Sequence, residues 1–416
     1  MRSRATKANC HRNLARIFAI TALLLAAPVA EAAQETPDIA TQYAADAQAM
    51  CDLVPKVYAY YATRAAHWAE ACRQAQAAAA AVTTPRQGVT MLEHLVEALW
   101  DHHASLGVNT GISPWLVPSG SDIWVEQQGT DVVVTGIRRN GAADRAGIRP
   151  GDLILSINGL PPEDAARSRI RTGRDDILPA RMAWALNAAA AGHRGQTRKI
   201  VLARGRERIT VELGDPSPPD IATSVTARMI GEIGYIRFND SLGNSDTVEA
   251  FDAAVEGMRT AKGWIVDLRD TPSGGSTDVA EPVMGRFMTR PAGYQVTLPL
   301  RAAASTRQVE PRGPWTLSGP VVVLAGRWTG SMGEGMAIGF DGMKRGTVVG
   351  GPMAGLAGGV EAFSLPATDT TLRLPAYGLA HLDGTPREQW VPKDRAQPDE
   401  GGPGDPAFAR ALEKLR

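Results

Sequence analysis

A charge imbalance is missing from this 416-residue chain, where 44 Lys and Arg are matched by 44 Asp and Glu. With a net charge of zero, no field gathers nucleic acid or an anionic membrane surface, so neither is expected as a partner. Cysteines are scarce, only three, at Cys10, Cys51 and Cys72. Long apolar runs are also absent beyond the N-terminus, so no later segment is expected to span a bilayer. No cluster of Cys, Asp or Glu at ligand spacing accompanies the histidines His102 and His103, and adjacent helical residues diverge, so a zinc site is not expected.

The N-terminus does have an apolar run. Arg2, Arg4, Lys7, Arg12 and Arg16 precede "IFAITALLLAAPVA" and then Ala30-Glu31-Ala32. A charged leader, a short apolar stretch and an A-x-A site fit a secretory signal over residues 1–33, and the stretch is shorter than the ~20 residues of a spanning helix. The expectation is an exported protein, in the periplasm or the medium, with no stable membrane insertion after cleavage. Cys10 leaves with the signal. Cys51 and Cys72 remain, either as a disulfide or as two buried thiols. One helix through both would hold them about 30 Å apart, so pairing requires a chain reversal near Tyr61 and Ala62.

Residues 34–112 are rich in Ala, Glu, Gln and Leu and read as a helical domain. In its last helix, "TMLEHLVEALWDHHASL", Leu92, Leu95, Val96 and Leu99 recur at i, i+3, i+4, i+7. If that helix continues, His103 shares the apolar face, His102 turns away from it and His94 points to water. A core histidine and a functional one remain open on periodicity alone.

Residues 113–214 change to short β-rich runs: "DVVVTGI", "DLILSING", "RKIVLARG" and "RITVEL". Within them, "GTDVVVTGIRRNGAADRAGIRPGDLILSINGLPPEDAA" closely resembles the PDZ domains of exported proteases. Such domains bind extended peptides, usually C-terminal ends, by adding a strand to a sheet edge. A Pro-rich linker, 215–224, follows. From 225 to 416, strands such as "IGYIRF", "GWIVDL" and "GPVVVLA" alternate with helical patterns, which predicts an α/β domain with a largely parallel sheet.

Two loops in that last domain stand out. "VVVLAGRWTGSMGEG" runs from an apolar strand into glycines and the single hydroxyl of Ser331 at a helix start. There Ser331 is either an N-cap or a nucleophile, with the amide of Met332 in the first helical turn available to an anion. "WIVDLRDTPSGGS" ends a second strand in a Gly-Gly turn, where Gly274 is the candidate for a second oxyanion donor. A G-x-S-x-G elbow of an α/β-hydrolase esterase is missing, because Thr329 lies two before Ser331.

Taken together, "ALWDHHASL", the PDZ-like segment, "VDLRDTPSGG" and "TGSMGE" resemble, in order, the motifs of the C-terminal-processing (tail-specific) and tricorn-type serine peptidases. The resemblance implies a multidomain α/β protein: N-terminal helical domain, PDZ-like β-rich domain and crotonase-like catalytic domain. It implies Ser331 as nucleophile, no metal or organic cofactor, and polypeptides or their C-termini as substrates. The lysine base of the tail-specific branch is not there, since Leu356 stands in its place within "GGPMAGLAGG". The tricorn-type branch takes its base from the early helix, which implies His103 as base. "DGTPREQWVPKD" matches that branch's late element, implying Glu388 as the group that orients the base. His381, just before that loop, is the rival base. His102, Asp270 and Thr271 depart from the family pattern. The missing lysine also leaves open a catalytically inactive peptide-binding homologue.

Overall fold

The computed structural model describes residues 38–173, 177–218, 222–396 and 404–416. The expected signal segment and the middle of the linker lie outside them. Helices α1 (Ile39–Val57), α2 (Tyr61–Arg64), α3 (Trp68–Ala79) and α4 (Pro85–Glu97) come first. Asp38 caps α1, and Thr84 with Gln87 forms a capping box on α4 behind Pro85. The chain reverses between α1 and α3, and Cys51 and Cys72 are joined in a disulfide with their Cα atoms 5.9 Å apart.

Helix α4 does not run on to His103, contrary to its apolar period. It ends at Glu97, and Trp100 takes a positive φ of 40°. The strand β1 (Ser105–Leu106) follows directly and pairs antiparallel with a distant strand, β15 (Thr371–Ala380). Pairing with β15 thus ends the helical run early and fixes where the histidines lie. His94, expected in water, is half-buried.

The next unit is a five-stranded antiparallel sheet in the order β2 (Ile123–Gln128), β3 (Asp131–Ile137), β4 (Leu153–Ile157), β5 (Arg198–Arg204), β6 (Glu207–Leu213). The short α5 (Ala142–Arg145) and α6 (Pro162–Arg167) link strands, and α7 (Pro179–Ala191) packs along β2. Asp122, fully buried, is neutralised by Arg198 at 2.6 Å and accepts from the Ala143 amide at 2.8 Å, which ties the strand entry to α5.

The last unit holds a six-stranded sheet, β16 (Asp394–Arg395), β13 (Thr347–Gly350), β12 (Val321–Ala325), β9 (Gly263–Asp267), β8 (Ile233–Phe238), β7 (Val225–Ile230). Only β7 is antiparallel to its neighbour. Both faces are covered, as apolar parallel strands require. Trp264, Val266, Val321 and Val323 point to a core shared with α8 (Thr247–Val255), α9 (Thr277–Gly285) and α10 (Met332–Gly342). Ile265, Val322 and Leu324 alternate to the other face, beneath α11 (Pro406–Leu415). A second sheet, built from β10 (Ala292–Pro299), β11 (Ser305–Val309), β14 (Gly359–Ser364), β15 and β1, carries the chain back to the helices.

Candidate active site

Two parallel strands, β9 and β12, deliver the key loops side by side. Strand β12 ends in Gly326, and Ser331 stands at the N-terminal end of α10 with φ 48° and ψ −109°. A β-carbon rarely tolerates that conformation, so the surroundings must hold it. Glu334, fully buried, does so: its carboxylate accepts from the Ser331 amide at 2.8 Å, from Gly355 at 2.9 Å and from Leu356 at 3.2 Å. Burial raises its pKa to about 7, against the charge of Arg387 and these three amides. Three of its roughly four lone-pair sites are used, so a proton still finds room on the fourth.

The His103 Nε2 lies 3.0 Å from Ser331 Oγ, and its Nδ1 lies 2.7 Å from the Ala357 carbonyl. A carbonyl only accepts, so Nδ1 carries the proton and the Nε2 lone pair faces the serine hydroxyl. Burial, helped by the positive charge of Arg387, pushes the His103 pKa down to about 4, which keeps the imidazole neutral near pH 7. Asp101 sets the turn, accepting from the His103 amide at 2.9 Å. Tyr58 donates to Asp101 at 2.7 Å and Arg64 pairs with it at 3.3 Å. His102 turns the other way, against Trp184, and burial lowers its pKa to about 3.

The structure does not bring Glu388 to His103. The place beside Nδ1 belongs to the Ala357 carbonyl, while the Glu388 carboxylate adds to burial in raising the pKa of Tyr60 and one of its oxygens is buried without a partner. The neighbouring Arg387 instead reaches this loop, donating to the Leu356 and Gly358 carbonyls. His381 is remote. It lies between Asp341 and Asp383, at 3.1 and 2.9 Å. Asp341 is near the C-terminal end of α10, about 15 Å from Ser331 at 1.5 Å per residue.

Leu356 does lie beside the Ser331 loop: a methyl at Gly330 would be 3.4 Å from its Cδ1. Gly274 has φ 68°, and a methyl there would meet Ser331 Cβ at 2.3 Å, so only glycine allows this approach. Its amide, however, donates to the Thr271 carbonyl at 3.1 Å and closes the turn. In this conformation the expected Gly274 donor is engaged, whereas the Met332 amide, first in α10, has no acceptor within the helix. The unusual Asp270 has a purpose: with Arg138 at 3.0 Å it ties the loop that carries Gly274 to the β2–β6 unit. Trp328 does the same for the Ser331 loop, donating to the Ser121 carbonyl at 2.8 Å.

Residues 232–400 match the family model of peptidase family S41, and residues 133–168 match that of the PDZ domain. This chain carries an S41 peptidase domain. The photosystem II D1 C-terminal processing protease has a similar fold to this chain, with a TM-score of 0.56 at 16% identity, over 86% of this chain and 94% of its own. Mature CPAF gives 0.57 at 14% identity, over 86% and 93%. None of the curated proteins matches the chain significantly by sequence.

Sequence reasoning missed β2 and α7, which flank a cleft of about 370 Å³ that reaches from Trp184 and Asn187 to Ala354 and Gly355, beside the loop that holds Ala357. Pro179 at the start of α7 and Gly192 at its end were available as signals. In this cleft Asn187 takes both outward groups of Val125 on the edge strand. Its Oδ1 accepts from the Val125 amide and its Nδ2 donates to the carbonyl, each at 3.0 Å. Among the described residues, no group of three His, Cys, Asp or Glu is placed to hold a metal, and no helix is long and apolar enough to cross a membrane.

Proposed function

We propose that this protein is an exported serine endopeptidase that takes extended polypeptides, or their C-terminal ends, and cleaves them by acyl transfer. The contact of 3.0 Å between Ser331 Oγ and a neutral His103 Nε2 carries the reading. Ser331 attacks the scissile carbonyl as His103 takes its proton. The Met332 amide, which has no acceptor within α10, is the donor for the developing oxyanion. His103 then gives the proton to the leaving amine, and water repeats the sequence to free the acyl group. The Ala357 carbonyl keeps the imidazole in the productive tautomer throughout.

The edge of β2 supports strand addition as the mode of capture, with the cleft leading from it to the flank of the site. A leader of charged and apolar residues and a disulfide joining Cys51 and Cys72 support export. The test is cleavage of an unfolded protein by wild type, Ser331→Ala and His103→Ala, together with fluorophosphonate labelling. Each variant should lose about 10⁴-fold or more. A folded wild type that binds peptide but is never labelled at Ser331 would leave an inactive peptide-binding homologue.

A further inference from the structure

The base is aimed by a main-chain carbonyl, so what aims the carbonyl decides whether the site works. Ala357 sits in the loop 355–358, which has no regular hydrogen bonding of its own. A loop with two glycines and no regular hydrogen bonding needs outside partners to hold one carbonyl in place. Its two leading amides, Gly355 and Leu356, are taken by Glu334. The carbonyls on either side of Ala357 are taken by one guanidinium: Arg387 Nη2 donates to Leu356 at 3.2 Å and to Gly358 at 2.6 Å. The Ala357 carbonyl between them accepts from the imidazole, at 2.7 Å.

We propose that Arg387 is the positioning residue for the catalytic base: by bridging the Leu356 and Gly358 carbonyls it turns the Ala357 carbonyl onto His103. Arg387 is itself 2% exposed and lies in the short turn after Pro386. It touches neither Ser331 nor the imidazole by any hydrogen bond, so it acts through the loop. Its neighbour Glu388 has no part in this arrangement.

The guanidinium has a second effect. The charged groups acting on His103 are Arg387 from the C-terminal turn, which disfavours the imidazolium, and Asp101 from its own turn, which favours it. Glu334, from α10, feels the same Arg387 charge. Position and charge can therefore be separated by substitution. Lysine keeps the charge and loses the planar fork that spans two carbonyls, while methionine loses both.

This inference rests on the serine-peptidase reading, and the experiment separates the two. Wild type, Arg387→Lys, Arg387→Met and Glu388→Gln are compared by fluorophosphonate labelling of Ser331 across pH. The His103 ring nitrogens are titrated in parallel by ¹⁵N NMR in a Ser331→Ala background, a readout that needs no activity. Both Arg387 variants should label more slowly, on the order of 10²-fold for methionine, because a small misplacement of a reacting pair is costly. The acid limb and the His103 titration should move up in pH for methionine and stay in place for lysine. Glu388→Gln should match wild type. If wild type is not labelled, the peptidase reading fails and the inference with it. If wild type is labelled and Arg387→Met matches it in rate and in His103 titration, only the inference is refuted. Should the methionine variant not fold, an Arg387→Lys protein with wild-type rate and an unchanged Nδ1 signal would overturn it.

Discussion

Glu334 offers the sharpest test of how Ser331 is held. Its carboxylate is the acceptor for three amides, those of Ser331, Gly355 and Leu356, at 2.8 to 3.2 Å. Glu334→Ala orphans all three in a buried setting. At about 1–3 kcal/mol for each unpaired donor the loss is about 3–9 kcal/mol, against a usual total stability of about 5–15 kcal/mol. The alanine variant should therefore unfold well below wild type or release the Ser331 and Gly355 loops. Glu334→Gln is the gentler probe. Its amide oxygen can replace Oε2 for Ser331 and Leu356, but its NH₂ then faces the Gly355 amide, one lost bond at about 1–3 kcal/mol. Thermal unfolding and the rate of fluorophosphonate labelling read the two effects. The glutamine variant should fold and label more slowly than wild type. Labelling at the wild-type rate with an unchanged melting temperature would refute the claim that this carboxylate holds the strained serine.

Acid should destabilise the protein through its neutral histidines. His102, His103 and His193 are pushed down to about 3, 4 and 4 from 6.5, by burial first and by nearby arginines second. Their native forms resist protons that the unfolded chain accepts, so stability is full above pH 6.5 and falls toward pH 4. His103 alone accounts for about 3 kcal/mol. Denaturant melts at pH 7 and 4.5 measure the slope, and a His102→Gln, His193→Gln protein that keeps the whole slope would contradict it. Asn187→Ala should free the Val125 amide and carbonyl, and extended peptides should bind on the order of tenfold more tightly, since each released bond is about 1 kcal/mol. Fluorescence anisotropy with a C-terminal peptide tests this, and unchanged or weaker binding would refute it.

The sequence reveals elements that follow local chemistry. Val321–Ala325 reads as a buried strand because parallel strands hide both faces, and Ser331 with its glycines reads as a special turn because few residues accept such backbone. It misleads where a long-range partner decides. The stripe through Leu99 extends the helix to His103, but pairing of Ser105 and Leu106 with β15 ends it. The partner of the imidazole is hidden altogether, because a main-chain carbonyl has no residue identity. A carboxylate in a matching motif is visible in sequence, which is why Glu388 draws attention that the geometry gives to Ala357 and Arg387. Asp270 likewise looks like a departure until Arg138 supplies the reason.

His103 and Ser331 are 228 positions apart, and the strand next to His103 is pinned to β15, which is made after the serine. His103 is therefore synthesised early and Ser331 late, and nothing local brings them together. A chain still growing, or kept unfolded by a chaperone, holds a histidine of ordinary basicity and a serine of ordinary reactivity. On the proposed serine-peptidase reading, hydrolytic power belongs only to the finished tertiary structure, so the maker of such a chain is shielded from it for as long as folding is delayed.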